Sequence, residues 1–167
     1  MNKKWILPAV SAICFLAIAG MVLILYFSGG QSRTGEFLPP AFETSAELGI
    51  PIVDQNLGWS EIYQDGMEFK AGVCGNVVTD NDTAIVYFTN SDKFDAWLKL
   101  RILNKEDEIF GETGLLKPGE YVKSIKLTGK ISDGDSIRLK IMAYEPETYY
   151  SLGTVTLNTT IREGSAG

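Results

Sequence analysis

The side chains that most often carry enzyme chemistry are scarce in this sequence of 167 residues. It contains no histidine, so it can assemble neither a Ser-His-Asp nor a Cys-His nucleophile, and an ordinary zinc site lacks its usual ligand. Cys74 follows Val73 in an apolar stretch, which favours a buried small side chain over a reactive thiol. The sequence therefore predicts no catalytic residue, no cofactor and no metal site.

Clustered carboxylates are the remaining candidates for acid–base chemistry or calcium binding. Each cluster lies where a turn is expected, and Asp and Asn favour turns for backbone reasons alone. None has the spaced ligands and terminal Glu of a calcium loop. We interpret them as turn residues, with a calcium site as the alternative. The clusters are Asp80-Asn81-Asp82, Asp92 with Asp95, and Asp133-Gly134-Asp135.

Residues 1–27 have the composition of a membrane anchor. The run from Trp5 to Phe27 carries no charge, and as a helix it spans about 35 Å, more than a hydrocarbon core of about 30 Å. Lys3 and Lys4 precede the run, and Trp5, Tyr26 and Phe27 sit where interfacial aromatic residues belong. The positive-inside rule then predicts a single-pass protein of the cell membrane, with a cytoplasmic N-terminus and an extracytoplasmic domain.

A cleaved signal peptide is the alternative interpretation of this segment. Ala17-Ile18-Ala19 has the small-x-small form of a cleavage site, and Ser28-Gly29-Gly30 is a second possible site. The apolar run continues past the first, and the second follows an apolar region far longer than usual. We therefore expect an uncleaved anchor.

Charge and cysteine usage narrow the class of partner and the compartment. Without Lys3 and Lys4, 13 of the 15 basic residues remain against 21 acidic ones, a net charge of −8 for the segment after the anchor. Such a charge argues against nucleic acid as a partner. Cys14 lies in the apolar run, so Cys74 has no partner for an internal disulfide. An exported domain without disulfides favours a Gram-positive envelope.

The remainder divides into a tether, one domain and a short tail. Residues 28–64 begin with a stretch rich in Gly, Ser and Pro and form a tether and membrane-proximal segment. Within it we expect a short helix near Thr44–Leu48, and packing of Ile50, Ile52, Leu57 and Trp59 on the domain edge. Residues 65–162 form the domain, and residues 163–167 form a frayed tail.

Alternating apolar and polar residues in the domain predict β-strands separated by turn residues. Seven short strands at this spacing predict an all-β fold, an immunoglobulin-like β-sandwich behind the transmembrane helix, with a small barrel as the alternative. The predicted strands are Met67–Cys74, Ala84–Thr89, Ala96–Leu103, Glu108–Glu112, Tyr121–Leu127, Ser136–Tyr144 and Thr154–Ile161.

The same alternation predicts one basic surface on an acidic domain. In an immunoglobulin-like sandwich the third, sixth and seventh strands are neighbours in one sheet, so their outward side chains share a face. That face is either solvated surface or a docking site for an anionic partner. Its predicted members are Trp97, Lys99, Arg101, Arg138, Lys140, Met142, Tyr144 and Arg162.

Four segments of the domain resemble a group of small single-pass envelope proteins of Firmicutes. They are Gln64-Asp65-Gly66-Met67-Glu68-Phe69, Trp97-Leu98-Lys99-Leu100, the run from Gly111 to Tyr121, and Ala143-Tyr144-Glu145-Pro146-Glu147-Thr148. The resemblance covers about Gln64 to Ile161 and implies an immunoglobulin-like fold at the cell surface. It implies no activity and assigns no functional residue. Gln64-Asp65 stands where the group tends to have Asp-Glu.

These observations favour a membrane-anchored, non-enzymatic module that binds an envelope protein or an anionic wall polymer. A protease inhibitor of β-sandwich type is the alternative, with a loop such as Leu115–Tyr121 presented to the protease. An enzyme is disfavoured because the sequence contains no histidine.

Overall fold

The computed structural model describes residues 37–129 and 131–163, and those from Pro39 onward belong to one compact unit. The described part of the chain is all-β, which confirms the predicted class. It contains ten strands and one short 3₁₀ helix, Gln55–Leu57. The strands are β1 Glu47–Leu48, β2 Trp59–Ile62, β3 Ala71–Cys74, β4 Val77–Asp80, β5 Thr83–Asn90, β6 Trp97–Leu103, β7 Ile109–Glu112, β8 Glu120–Lys126, β9 Ser136–Tyr144 and β10 Ser151–Glu163.

The strands form one curled sheet whose two halves face each other. Its order is β1-β8-β5-β4-β10-β9-β6-β7, and β3 pairs with β5 and with β2 beside this path. Strand β10 joins the halves, because Ser151 to Thr160 pair antiparallel with β9 while Ile161 to Glu163 pair parallel with β4. One long strand therefore belongs to both halves of the sheet.

The core lies between the two halves and is built by strand alternation. In β6, Leu98, Leu100 and Ile102 are fully buried, and Leu139 and Ile141 of β9 lie beside them in the same cluster. The facing half contributes side chains from β3, β5 and β8, among them Val73, Val86, Phe88, Val122 and Ile125. Burying an aliphatic side chain of this size contributes about 1.5–3 kcal/mol, so this cluster is the main stabilising feature of the fold.

A glycine in β3 makes room for the indole ring of Trp59. A Cβ at position 72 would overlap the Trp59 ring, so Gly72 lets the indole lie flat on β3. The indole Nε1 donates to the Tyr87 carbonyl at 2.9 Å. Tyr87 has a positive φ of 42° at a bulge in β5, where the register with β8 shifts between Ile85 and Phe88.

All seven predicted strands are present in the structure, but three others were not predicted. Strands β1, β2 and β4 have two to four residues and lack sustained alternation, so local pattern gives them little signal. The helix expected near Thr44–Leu48 is wrong, since Glu47 and Leu48 pair with Tyr121 and Glu120 of β8. Of the four residues expected on the domain edge, Leu57 is buried and Trp59 half-buried, whereas Ile50 and Ile52 are exposed.

The predicted anchor residues Lys3, Lys4, Trp5, Tyr26 and Phe27 lie outside the described residues. Within residues 37–129 and 131–163, no helix is long and apolar enough to cross a membrane.

Candidate binding face

The outer surface of β6, β9 and β10, called here the three-strand face, brings together most of the residues singled out in the sequence. Its rows run across the strands: Trp97 lies opposite Tyr144, Lys99 opposite Met142, and Arg101 opposite Lys140. On the other side of β9, strand β10 places Thr154 opposite Met142, Thr156 opposite Lys140 and Asn158 opposite Arg138. Seven of the eight predicted members therefore share this surface, on strands that are direct neighbours.

Arg162 departs from the predicted arrangement. The pairing of β10 with β9 ends at Thr160, which lies opposite Ser136. Arg162 lies beyond that point and is paired with Val78 of β4, in the parallel part of the sheet. It is exposed, but it belongs to the other half of the sheet because β10 crosses between the halves.

A carboxylate on the neighbouring strand β7 neutralises part of the positive charge of the face. Glu112 accepts from Lys99 Nζ at 2.9 Å and from Arg101 Nε at 2.8 Å. Partial burial alone would raise the pKa of Glu112, but the hydrogen bonds from Lys99 and Arg101 outweigh this and lower it. Lys99 is 7% exposed, so it serves as a buried ion-pair partner and not as a surface cation.

Arg138 is also engaged within the domain. Its Nη2 lies 2.6 Å from Asp107 Oδ1 and 3.0 Å from the Asn104 carbonyl oxygen, both in the turn between β6 and β7. Asp107 adopts a positive φ of 67°, which the turn requires. The guanidinium therefore holds the β6–β7 turn against β9.

Lys140 is the cation of the face that stays available to a partner. It is half-buried at the centre of β9, between Arg101 and Thr156, and among the described residues it makes no ion pair. The four cations Lys99, Arg101, Arg138 and Lys140 set against Glu112 and Asp107 leave 4 − 2, a local charge of +2. The face is thus weakly basic.

One end of the three-strand face is aromatic. The Trp97 ring meets Phe42 edge-on at 4.8 Å between centroids and Tyr149 at 5.2 Å. Lys117 Nζ lies 4.8 Å from the centroid of the Phe42 ring, within range of a cation–π contact. Next to this cluster, Tyr144 Oη approaches Met142 Sδ at 3.7 Å, and Met142 is 8% exposed.

Sequence reasoning missed Glu112, Asp107, Phe42 and Tyr149, which lie around the face. Hairpin closure at Asn104–Glu108 alone would have placed Gly111 opposite Arg101, and a bulge between Ile102 and Leu103 shifts the register so that Glu112 lies there instead. No local pattern connects Phe42 or Tyr149 with Trp97, since those contacts depend on how distant segments fold back.

Cys74 and two of the carboxylate clusters singled out in the sequence have structural roles in the fold. Cys74 is fully buried, and burial raises the pKa of its thiol to about 11. Asn81 Nδ2 donates to Asp80 Oδ1 at 2.9 Å and the Ser132 amide donates to Asp135 Oδ2 at 2.8 Å, as expected of turn residues. Over the described ranges, no cluster of three or more His, Cys, Asp or Glu is arranged to hold a metal ion.

The segment proposed as an inhibitor loop is bound to the domain at its first two residues. Leu115 and Leu116 are fully buried, and Leu116 exchanges backbone hydrogen bonds with Leu98 at 2.8 and 3.0 Å. The buried Asn90 amide also donates to the Leu116 carbonyl at 3.0 Å. Leu115 and Leu116 are therefore fixed in the domain, whereas Lys117 in the same segment is exposed.

Comparison with known proteins assigns the chain to no family. No protein-family model matches the chain, and no curated protein is significantly similar to it.

Proposed function

We propose that this protein is a single-pass membrane protein whose immunoglobulin-like domain lies outside the cytoplasm and binds an anionic component of the cell envelope without catalysing a reaction. The observation that carries the proposal is the three-strand face. It is a weakly basic surface with an aromatic end, on a segment whose sequence has a net charge of −8 after the anchor.

The strand order supports the immunoglobulin-like part of this proposal. In that fold, strands C, F and G are neighbours in one sheet, with strands B and E in the other. Strands β6, β9 and β10 are neighbours in the same sense, and β5 pairs with β8 in the facing half of the sheet. The resemblance to Firmicutes envelope proteins points to the same fold.

Three features of the sequence support the anchored and non-enzymatic parts. The uncharged run of 23 residues from Trp5 to Phe27 is long enough to span a bilayer. Lys3 and Lys4 before it favour an external domain. The absence of histidine from the whole sequence removes the commonest general base.

The chemistry of the face favours an acidic protein surface or an anionic wall polymer as the partner. Lys140 supplies an uncompensated charge, and the aromatic end supplies apolar contact area of the kind enriched in interfaces. Because Lys140 is only partly buried, the contact should weaken with salt, since screening acts over about 8 Å at physiological ionic strength.

Site-specific photo-crosslinking in native membranes tests this function. The full-length chain carries the photoreactive residue at Thr156, an exposed position opposite Lys140 on β10, or, as a matched control, at Ser124, an exposed position on β8 in the facing half of the sheet. We expect a salt-sensitive adduct from position 156 and none from position 124. Equal adducts from both positions, or no adduct at position 156, would overturn the proposal.

A charge reversal gives the complementary result. Lys140→Glu should reduce the adduct formed from position 144 while leaving the fold intact, because Lys140 makes no ion pair within the described domain. Lys126→Glu is the control, since Lys126 is exposed on β8. Its ion pair with Asp82 is long, at 3.7 Å between Nζ and Oδ2, and lies at the surface. An unchanged adduct in the Lys140 variant would show that the face is solvated surface.

A further inference from the structure

A second surface of the domain is formed by aliphatic side chains that have no cover. Leu48, Ile50 and Ile52 are 82%, 83% and 97% exposed, in one short segment at the start of the domain. Single exposed apolar residues are common, but contiguous ones mark surfaces that meet another apolar phase. We call these three residues the aliphatic row.

The segment that carries the aliphatic row is held firmly by the domain. Glu47 and Leu48 pair with β8, and the Gly49 amide donates to the Gly119 carbonyl at 2.8 Å. Pro51 is buried between Ile50 and Ile52. The outward direction of the two isoleucines is therefore fixed by the fold and is not the result of a loose chain.

The cations around the aliphatic row are paired or balanced by carboxylates. Glu47 accepts from Lys123 Nζ at 2.8 Å and from Tyr121 Oη at 2.6 Å. A cleft of about 480 Å³ beside Ile50 has a mainly apolar lining, and its charged residues comprise one ion pair, Lys70 with Glu61, and the neighbours Asp92 and Lys93. Glu120, opposite Leu48 on β8, and Asp54, two residues after Ile52, make no ion pair among the described residues, so the surroundings do not attract an anionic partner.

The chain between the predicted anchor and the aliphatic row is short, so the bilayer is an apolar phase that the row can reach. Nine residues, 28–36, separate the end of the uncharged run at Phe27 from the first described residue. Even fully extended they span at most about 30 Å. Eleven further residues, 37–47, lead to the aliphatic row, so a bilayer holding the run lies close to it along the chain.

We propose that the aliphatic row inserts into the interface of the bilayer that holds the N-terminal anchor, so that the domain lies on the membrane surface. This inference rests on the proposed function, because it requires the anchor. The row belongs to the β1–β8 part of the sheet, whereas the three-strand face belongs to β6, β9 and β10. Insertion therefore leaves the three-strand face open to a partner. Since the contact is apolar, neutral lipid is sufficient and salt has little effect.

Fluorescence quenching in phosphatidylcholine vesicles tests this inference. The full-length chain carries Cys14→Ala and Ile50→Cys, the new thiol bears an environment-sensitive dye, and the lipid bears a nitroxide near the headgroup end of its acyl chain. Glu106→Cys, in the exposed β6–β7 turn, is the matched control. We expect a blue shift and loss of emission at position 50, unchanged in high salt, and neither effect at position 106.

The outcomes separate this inference from the proposed function. If the protein floats with vesicles after a carbonate wash but position 50 is not quenched, the insertion is wrong and the anchor stands. Quenching at position 50 that disappears in high salt would overturn the apolar contact. A protein that does not float with the vesicles overturns both. Replacement of Leu48, Ile50 and Ile52 by Asn should abolish quenching of a dye at Thr44→Cys while the fold persists, because all three side chains are exposed.

Discussion

At the scale of single residues, the Cys74 thiol is held in its neutral form by burial. Its side chain is fully buried in β3, and burial raises its pKa from 9.0 to about 11. Because the thiolate is the reacting species, the folded domain should react slowly with a maleimide at pH 8 and rapidly once unfolded in urea. Rapid labelling of the folded domain would show that the thiol is exposed.

Replacement of the same residue should reveal what its burial contributes. Cys74→Ser places a hydroxyl where no partner is provided, which should cost on the order of 1 kcal/mol or more in the free energy of unfolding. Cys74→Ala is the control, because it removes the sulfur without burying a polar group. Urea denaturation measures both, and a serine variant as stable as the alanine variant would contradict the assignment.

Glu112 should make the stability of the domain depend on pH in the acid range. Its pKa is lowered in the fold, since the hydrogen bonds from Lys99 and Arg101 outweigh the opposing effect of burial. A carboxyl whose pKa is lower in the folded state than in the unfolded state stabilises the fold above the unfolded value of 4.5. That contribution is lost as the pH falls from 4.5 through the folded pKa.

The variant Glu112→Gln should therefore be less stable at pH 7 by about 1–3 kcal/mol, because the buried Lys99 ammonium loses its partner. It should also show a weaker loss of stability below pH 4.5 than the wild-type protein. Glu106→Gln, in an exposed turn, is the control and should change stability by no more than about 0.5 kcal/mol. Parallel pH dependences for the wild-type protein and the Glu112→Gln variant would contradict this role.

At the scale of elements, alternation was informative where a strand has one solvated face. It located β6 and β9 to within one residue, because their inward Leu and Ile residues recur at every second position. It failed for β1, whose two residues form a strand only because Tyr121 and Glu120 lie opposite them. It also could not reveal that β10 changes partner at Ile161, since the direction of bending leaves no periodic trace.

The candidate site was predictable to a similar extent. Sharing of one face by β6, β9 and β10 follows from period two and a sandwich topology. The compensation of Lys99 and Arg101 requires the register of β7 against β6, which pairs Arg101 with Glu112. The burial of Lys99 follows from that contact and was not predictable from a lysine at an outward position.

The segment preceding β1 should detach if its contact with Gly114 is disturbed. Glu43 Oε2 accepts from the Gly114 amide at 2.8 Å, and a Cβ at position 114 would lie 2.5 Å from the Glu43 backbone nitrogen. Gly114→Ala should therefore cost about 1–3 kcal/mol and expose the Glu43 and Leu115 amides to hydrogen exchange. The amides of the β5–β8 ladder provide the internal control. Unchanged protection of Glu43 would contradict the expected displacement.

At the scale of the whole molecule, two surfaces of different chemistry lie on different parts of one curled sheet. The three-strand face is weakly basic and aromatic, and its contacts should respond to salt. The aliphatic row is uncharged, and its contact with the membrane should not respond to salt. A domain held at a membrane by the aliphatic row would present the three-strand face to other components of the envelope.

The anchored, external position of the domain is the central claim, and thiol labelling in intact cells tests it most directly. Cys14→Ala and Ser124→Cys leave one reactive thiol on β8, in the half of the sheet that faces away from the three-strand face, because Cys74 is buried. A membrane-impermeant maleimide should label this thiol in intact cells, and the labelled chain should remain with membranes after a carbonate wash. Labelling that requires cell lysis, or a labelled chain released by carbonate, would contradict the account.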